Sequence, residues 1–310
     1  MILIRKVIKE FISPIKIGDQ LLTRRSFYLI EHNNKIISEL SPLTGLHPES
    51  LEESKKQLEE IIYCFDAESI INNFKNGFFD PSKTFFNLIN LKKSTNLYSS
   101  VIFSLEAAIL NLVFPQEYKK IPYCFLDFNL EKTDTSNGVI KIKIGRNSLE
   151  EDSKKLDKYI QNTNLVIRLD GNRKMNADSL SQLLKNKPSS RFQYLEDPFT
   201  CVKEAIHFYS KNKNAPPLAL DENLNILLDK NLKPTPLQKY TKFAIIKPNL
   251  KGGISSALRI ASSLEEIGIL SVISSSFESE IGINTLNKIH YIFPGKFSNN
   301  PGLDTIKYFK

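Results

Sequence analysis

Apolar and polar positions alternate along much of the first forty residues. This period of two is typical of strands, because successive side chains of a strand point to opposite faces. It predicts strands at residues 3–15, 26–31 and 35–40. His32, Asn33 and Asn34 separate the last two segments and favour a hairpin turn between them.

The next sixty residues change to the helical period. Ser50 and Glu53 have the spacing of a capping box, in which each side chain bonds to the backbone N–H of the other residue. The apolar positions after them recur every three to four residues, as on one face of a helix. Further helices are predicted at residues 67–79 and 100–113. The N-terminal third is therefore expected to mix α and β structure.

Beyond about residue 120, short apolar runs alternate with amphipathic stretches. The runs lie at residues 123–126, 139–144, 165–169, 192–195, 218–220, 243–246 and 270–273. Helix signals fall between them, among them a capping box at Ser148 and Glu151 and a helical period over 254–264. Alternating strands and helices predict βαβ units on a parallel sheet.

The units have nearly equal length. Neighbouring polar residues at the ends of six runs are 25 to 27 positions apart: Lys143, Asp170, Glu196, Asp221, Lys247 and Ser274. One strand, one helix and two short loops require about that many residues. Equal units that close on themselves predict a barrel. A doubly wound open sheet is the alternative, but it requires a crossover where the strand order reverses.

Five of these strand ends carry ionisable side chains in the order base, acid, acid, acid, base. The carboxyl ends of parallel barrel strands share one face, so Lys143, Asp170, Glu196, Asp221 and Lys247 are expected to converge there. Three adjacent carboxylates need a compensating cation, because like charges raise one another's pKa. Hard oxygen ligands favour Mg²⁺. Each residue alone has an ordinary structural explanation, but the combination favours an active site.

Composition narrows the class of protein. Among 310 residues, 41% are hydrophobic and 25% charged, which excludes a disordered or fibrous chain. The net charge of +8 has three explanations: nucleic-acid or membrane-surface binding, an anionic small substrate, or compositional bias. The lysines are scattered among acids, which favours bias, so neither a nucleic-acid nor a membrane partner is predicted.

Cysteine usage and the apolar runs bear on the compartment. Cys64, Cys124 and Cys201 are far apart and form no CxxC pair, which favours a reducing environment. Charged residues interrupt the apolar residues at the start of the chain, MILIRKVIKEF, so this segment does not resemble a signal peptide. No apolar run approaches the length of a membrane span. A cytoplasmic location is therefore expected.

The constellation resembles the enolase superfamily, in particular its muconate-lactonising subgroup and the o-succinylbenzoate synthases within it. Lys141-Ile142-Lys143 is similar to the KxK motif of that subgroup, Asp170 with Asn172 to its DxN motif, and Lys247 to the lysine across the site. The resemblance covers nearly the whole chain. Other similar segments are the capping-domain hairpin end at 38–43, the helix at 104–108 and the seventh- and eighth-strand motifs at 274–279 and 301–305.

The resemblance implies a fold and a set of roles. The fold is α/β: a modified (β/α) TIM-type barrel at residues 98–310, preceded by an α+β capping domain at 1–97. The implied roles are catalysis for Lys143, Lys247 and Lys141, metal binding for Asp170, Glu196 and Asp221, and substrate binding for Ser274, Asn172 and Gly302. Because the chain ends five residues after Thr305, little C-terminal contact with the cap is expected.

The implied cofactor is Mg²⁺, with Mn²⁺ as the alternative ion, and the implied partner is a small anionic substrate. The implied reaction is the syn dehydration of 2-succinyl-6-hydroxy-2,4-cyclohexadiene-1-carboxylate to o-succinylbenzoate in menaquinone biosynthesis. Lys143 would be the base, and Lys247 would remain a cation on the other face.

Two rival functions stay open, and the sequence does not decide between a monomer and a homo-oligomer. Racemisation of N-succinylamino acids or epimerisation of dipeptides would use the same two lysines. The motif at 301–305 favours the synthase. A non-catalytic nucleic-acid-binding protein would fit the charge but would not need five ionisable strand ends. The four histidines are predicted to be structural or on the surface. Arg24 and Arg25 fit either a surface role or a loop that closes over the site.

Overall fold

The computed structural model describes residues 2–62, 66–75, 96–127, 138–228 and 236–310. An antiparallel sheet of three strands begins the chain, in the order β1 (Ile2–Ile17), β2 (Gln20–His32) and β3 (Lys35–Leu40). The predicted hairpin turn is confirmed: Asn33 and Asn34 have φ angles of 49° and 62°, as a type I′ turn requires.

Within the described residues that follow this sheet, the first helices are α1 (Leu51–Ile62), α2 (Ala67–Lys75) and α3 (Ser99–Val113). The capping box before α1 is present. The Ser50 backbone N–H donates to the Glu53 carboxylate at 2.8 Å, and the Glu53 N–H donates to the Ser50 hydroxyl at 3.2 Å. Cys64 and the predicted extension of α2 over residues 76–79 lie outside the described residues.

Helix α3 lies between the two parts of the molecule. It packs against β3 on one side and against the barrel helix at Gly253–Glu266 on the other. Eleven of its fifteen residues are buried and most of these are apolar, as expected of a helix with neighbours on several sides. The domain boundary at residues 97 and 98 stays a prediction, and it falls immediately before this helix.

In the part of the chain that the structure describes, seven parallel strands form the second sheet, each beside its neighbour in sequence. They are β4 (Phe125–Asp127), β5 (Val139–Lys143), β6 (Val166–Asp170), β7 (Phe192–Glu196), β8 (Leu218–Leu220), β9 (Thr241–Ile246) and β10 (Leu270–Ile273). The helices are α4 (Leu149–Asn162), α5 (Ala177–Leu184), α6 (Val202–Lys211), α7 (Asn225–Leu228), α8 (Gly253–Glu266) and α9 (Glu280–Ile292). This uninterrupted order confirms the βαβ pattern and excludes a doubly wound sheet.

The segment around Gly302 closes the barrel between β10 and β4. The Gly302 N–H donates to the Ile273 carbonyl at 2.8 Å, and on the other side the Cys124 N–H donates to the Pro301 carbonyl at 2.9 Å. The guanidinium of Arg168, buried inside the barrel, donates to two further carbonyls of this segment. An irregular segment, held partly by a side chain, therefore takes the place of the eighth strand.

The last residues pack on the cap, so the expectation of little C-terminal contact was wrong. Phe309 forms an antiparallel bridge with Phe11, and the two rings stack with centroids 4.8 Å apart. The Lys310 N–H donates to the Glu10 carbonyl at 2.9 Å. A 3-10 turn at Ile306–Tyr308 directs the chain back to β1, which the distance from Thr305 in sequence does not reveal.

Gly253, at the start of α8, is expected to tolerate no side chain. Its φ is +90°, and an added Cβ would lie 2.3 Å from Oε2 of Glu106 and 2.6 Å from Cγ2 of Ile102. The Glu106 carboxylate also accepts the Ser255 N–H at 3.0 Å and so caps the helix. We expect Gly253→Ala to lower the free energy of unfolding by about 2–4 kcal/mol, from backbone strain and overpacking together.

Urea denaturation measures this loss, and Gly268→Ala is the matched control. Gly268 has a φ of +73°, but a Cβ there would meet nothing within 4 Å. Its substitution should therefore cost only the backbone strain, about 1–2 kcal/mol. Equal losses for the two variants would show that the contact with Glu106 does not matter.

Candidate active site

One cavity, about 130 Å³ in volume, opens at the carboxyl ends of the barrel strands. It brings together all nine residues that the sequence singled out: Lys141, Lys143, Asp170, Asn172, Glu196, Asp221, Lys247, Ser274 and Gly302. The register of the sheet explains this convergence, because Lys143 pairs with Asp170 and Asp170 with Glu196 as direct neighbours across strands. The structure thus places the predicted constellation on one face.

Lys141 lies between two of the carboxylates. Its Nζ is 3.0 Å from Oδ2 of Asp170 and 3.1 Å from Oε1 of Glu196. Burial would lower the pKa of Lys141, but the two carboxylates outweigh burial and raise it well above its usual range. Burial likewise opposes the ionised form of Asp170, yet the ammonium groups of Lys141 and Lys143 lower its pKa. These charges stabilise one another.

Glu196 and Asp221 complete the acidic group. Burial, and then the charge of Asp170, raise the pKa of Glu196 to about 8. Asp221 forms an ion pair with Lys247. Although burial opposes the charged form of Lys247, the Asp221 carboxylate raises the pKa of this lysine. Lys247 is therefore held as a cation.

Lys143 has a different environment. Its Nζ lies 3.5 Å from Oδ2 of Asp170 and 3.4 Å from Oδ1 of Asn172, and its side chain is 20% exposed. Burial, with the charge of Lys141 as a smaller contribution, lowers the pKa of Lys143. The two lysines that flank the carboxylates thus differ, because the pKa of Lys143 is lowered and that of Lys247 is raised.

The three predicted substrate-binding residues lie at the cavity wall. Asn172, in the left-handed region with φ of 45°, donates from both its side chain and its backbone N–H to Asp170. Its amide therefore orients a carboxylate and lies near Lys143. The Ser274 hydroxyl donates to the Gly302 carbonyl at 3.4 Å, so these two residues join β10 to the segment that closes the barrel.

Asp170, Glu196 and Asp221 could hold a divalent ion, because carboxylate oxygens are the ligands that Mg²⁺ prefers. Among the described residues, however, no three acidic, histidine or cysteine side chains stand close enough to surround an ion as they are. The ammonium groups of Lys141 and Lys247 lie against the carboxylates instead. The donor set fits Mg²⁺ in its chemistry, since all three side chains offer carboxylate oxygens.

The capping domain supplies walls that sequence reasoning missed. Lys16, Ile17 and Gly18, around the turn between β1 and β2, line the cavity, as do Leu43 and Leu46 after β3. Only Leu43 belongs to a segment that the sequence singled out, the hairpin end at 38–43. Only the packing of the cap over the barrel identifies them, and that is a tertiary property.

The histidines play no direct part in the cavity, since none of the four lines it. His47 is buried between cap and barrel. Its Nδ1 accepts the Leu43 N–H at 2.8 Å, so its other nitrogen carries the proton and donates to the Asn249 carbonyl at 3.1 Å. This is the structural role that the sequence predicted.

Comparison with known proteins extends these observations, although no family model matches the chain. An o-succinylbenzoate synthase from Aliivibrio fischeri (strain MJ11) is 27% identical over 314 residues, which cover 96% of this chain and 88% of the relative. Among the described residues, no helix is both long enough and apolar enough to cross a bilayer.

Solved structures share the fold at low identity. A muconate lactonizing enzyme from Pseudomonas fluorescens has a TM-score of 0.69 at 15% identity, covering 100% of this chain and 88% of its own. An o-succinylbenzoate synthase from Thermosynechococcus elongatus, with Mg in its active site, has a TM-score of 0.66 at 15% identity. The match covers 100% of this chain and 94% of that synthase. An N-succinyl Arg/Lys racemase from Bacillus cereus has a TM-score of 0.70 at 16% identity, and the match covers 99% of this chain and 87% of the racemase.

The fold itself does not distinguish a synthase from a racemase, because both are among these structures. The capped barrel and the similarity to the synthases over most of the chain agree on the classification. The chain thus has the capped-barrel fold of the enolase superfamily, and it is similar in sequence to o-succinylbenzoate synthases over most of its length.

Proposed function

We propose that this protein is an o-succinylbenzoate synthase, which removes water from 2-succinyl-6-hydroxy-2,4-cyclohexadiene-1-carboxylate. The observation that carries the proposal is the placement of Lys143 and Lys247 on opposite sides of three carboxylates in one cavity. The similarity to synthases over 96% of the chain supports this choice of reaction. The proposal includes a role in menaquinone biosynthesis and a cytoplasmic location, which the free cysteines Cys124 and Cys201 support.

Proton removal next to a carboxylate is the difficult step. Held by Asp170, Glu196 and Asp221, Mg²⁺ (or Mn²⁺) would act as a Lewis acid toward the negative charge that develops on that carboxylate. Neutral Lys143 takes the proton, and the electron pair of the C–H bond moves toward the carboxylate. The same lysine, now protonated, donates to the leaving hydroxyl on the same face. The C–O bond breaks, water leaves, and the ring becomes aromatic.

The other two lysines assist without carrying this proton. Lys247 stays a cation opposite Lys143 and stabilises the developing negative charge from the second face. Lys141, by its charge and its contact with Asp170, disfavours protonation of Lys143 and keeps the carboxylate in place. One lysine thus acts as acid and base, and two act by charge.

A second candidate is racemisation of N-succinylamino acids or epimerisation of dipeptides. The same flanking lysines favour it, because a racemase needs a proton carrier on each face. Incubation of the chain and Mg²⁺ with the cyclohexadiene, and separately with N-succinylamino acids and dipeptides in D₂O, distinguishes the two. We expect a higher kcat/KM for aromatic product than for deuterium incorporation at the α-carbon, and the reverse order would favour the racemase.

Glu196→Gln is expected to weaken Mg²⁺ binding by about 10–100-fold, because it removes one of three charged ligands. Titration calorimetry in the absence of substrate measures this change. Glu222→Gln is the matched control, since Glu222 lines the same cavity but is not one of the three proposed ligands. Equal affinities for wild type and Glu196→Gln, or a larger loss for Glu222→Gln, would contradict the ligand assignment.

A further inference from the structure

Arg25, on β2, joins the cap to the barrel through four backbone carbonyls. Its guanidinium donates to the carbonyls of Pro42 at 2.6 Å and Ser41 at 3.0 Å in the cap. It also donates to those of Ser276 at 3.0 Å and Phe277 at 3.2 Å in the barrel. The side chain is only 3% exposed, so the surface role that the sequence left open is excluded.

The two loops that Arg25 joins both contribute to the wall of the candidate active site. On the cap side, Leu43 and Leu46 follow the bonded carbonyls and line the cavity. On the barrel side, residues 274–277 line it. A guanidinium is a planar fork with five N–H donors, so it can fix several acceptors in one geometry, which an ammonium cannot do. Arg25 therefore sets the distance between these loops.

The barrel loop needs such a restraint. Phe277 has a φ of +57°, a conformation that is uncommon and costly for a bulky residue. The hydrogen bond from Arg25 to its carbonyl fixes this peptide, and its ring packs edge-on against Phe11 with centroids 5.7 Å apart. The aromatic ring is thereby held at the cavity wall.

The neighbouring carboxylates of Glu39 and Glu278 accept hydrogen bonds from backbone N–H groups, so the N–H groups of Arg25 bond to the four carbonyls. Glu39 accepts the N–H groups of Ser279 and Gly282, and Glu278 accepts the Ser276 N–H at 2.6 Å. Both carboxylates favour the charged guanidinium by their field, while burial lowers the pKa of Arg25 to about 10. The guanidinium stays ionised near neutral pH and directs its hydrogen bonds to the two loops.

We propose that Arg25 is a positioning residue for the active site, which holds the cap loop at 41–46 and the barrel loop at 274–277 in register around the non-reacting part of the substrate. The choice of substrate rests on the proposed function, but the positioning does not. Because the proposed metal ligands lie at the ends of β6, β7 and β8, loss of Arg25 should affect substrate binding and leave ion binding unchanged.

The test compares Arg25→Met and Arg25→Lys with Arg24→Met, a neighbouring exposed arginine. With the cyclohexadiene and Mg²⁺, Arg25→Met should raise KM about tenfold or more with kcat within about threefold, since misplaced walls weaken substrate binding. Arg25→Lys should lie between, because an ammonium cannot satisfy four carbonyls. Arg24→Met should behave as wild type. If Arg25→Met does not fold, Arg25→Lys is compared with Arg24→Met in its place.

A readout without substrate separates this inference from the proposed function. Amide hydrogen exchange at 41–46 and 274–279 should become faster in the Arg25 variants, while exchange in β6 and the Mg²⁺ affinity stay as in wild type. If wild type forms no aromatic product, the proposed function fails and the exchange experiment still tests Arg25. Unchanged KM and exchange in folded variants, or a loss spread equally over exchange, kcat and Mg²⁺ affinity, would overturn the positioning role.

Discussion

Replacing Lys143 by alanine should lower kcat for dehydration by about 10²–10⁴-fold, the usual contribution of a positioned acid–base group. The substitution removes the proposed proton carrier for both the C–H and the C–O steps. The fold should survive, because the side chain projects from the end of β5 into the cavity and is partly exposed. Steady-state rates, with circular dichroism and Mg²⁺ affinity of the same preparation, measure the effect.

Lys154→Ala is the control for this substitution. Lys154 lies on α4, where its side chain is 74% exposed and pairs with Glu150 one turn earlier, so its loss should leave the rate unchanged. A kcat of Lys143→Ala within tenfold of wild type, in folded protein that binds Mg²⁺, is incompatible with Lys143 as the base.

Lys247→Ala should lower kcat by about 10²–10³-fold, the range for loss of one electrostatic stabiliser of a transition state. Lys247→Arg should retain more activity, because arginine keeps the positive charge next to Asp221 but cannot act as a base at accessible pH. The larger guanidinium fits the buried position less well, so activity below that of wild type is expected.

The comparison of the two Lys247 variants distinguishes the reactions. In a synthase the positive charge is sufficient, so the Lys247→Arg variant should be more active than the Lys247→Ala variant. In a racemase the proton of one enantiomer must pass through this residue, so both variants should be equally inactive. Rates on the cyclohexadiene and on N-succinylamino acids, with circular dichroism as the folding control, decide between them. Equal inactivity in folded protein would remove the support for a charge-only role.

The sequence predicted the barrel strands and the ionisable residues at their ends, because both depend on patterns within a few neighbouring residues. The strands are buried on both faces and therefore appear as short continuous apolar runs. Parallel pairing then places the residue at each strand end on one face, which is why Lys143 and Lys247 meet although about a hundred positions separate them. The capping boxes at Ser50 and Ser148 depend on only four residues each.

Features that depend on distant contacts were not predictable. In the sequence, Arg25 fits either a surface role or a loop that closes over the site, and only the fold buries it between carbonyls of the cap and of the barrel. The eighth position of the barrel was assigned to residues 301–305 through the family resemblance alone, because Arg168 and neighbouring segments hold it there in place of a regular ladder. Phe309 reaches the cap through a turn that no periodicity indicates.

The charge balance in the cavity was predicted only in part. The sequence indicated that three carboxylates need a compensating cation, and the structure places Lys141 and Lys247 against them. Neither spacing nor composition could indicate that these lysines share the carboxylates proposed for Mg²⁺. These contacts between ammonium and carboxylate groups depend on the fold, which brings distant strand ends together.

Formation of o-succinylbenzoate from the cyclohexadiene tests the central claim most directly. The purified chain, Mg²⁺ and the substrate are followed by ultraviolet absorbance, with the product identified by mass spectrometry. We predict many turnovers per protein molecule, arrest on addition of EDTA and recovery with excess Mg²⁺. Absence of product from folded chain that binds Mg²⁺, at substrate concentrations that saturate binding, would contradict the account.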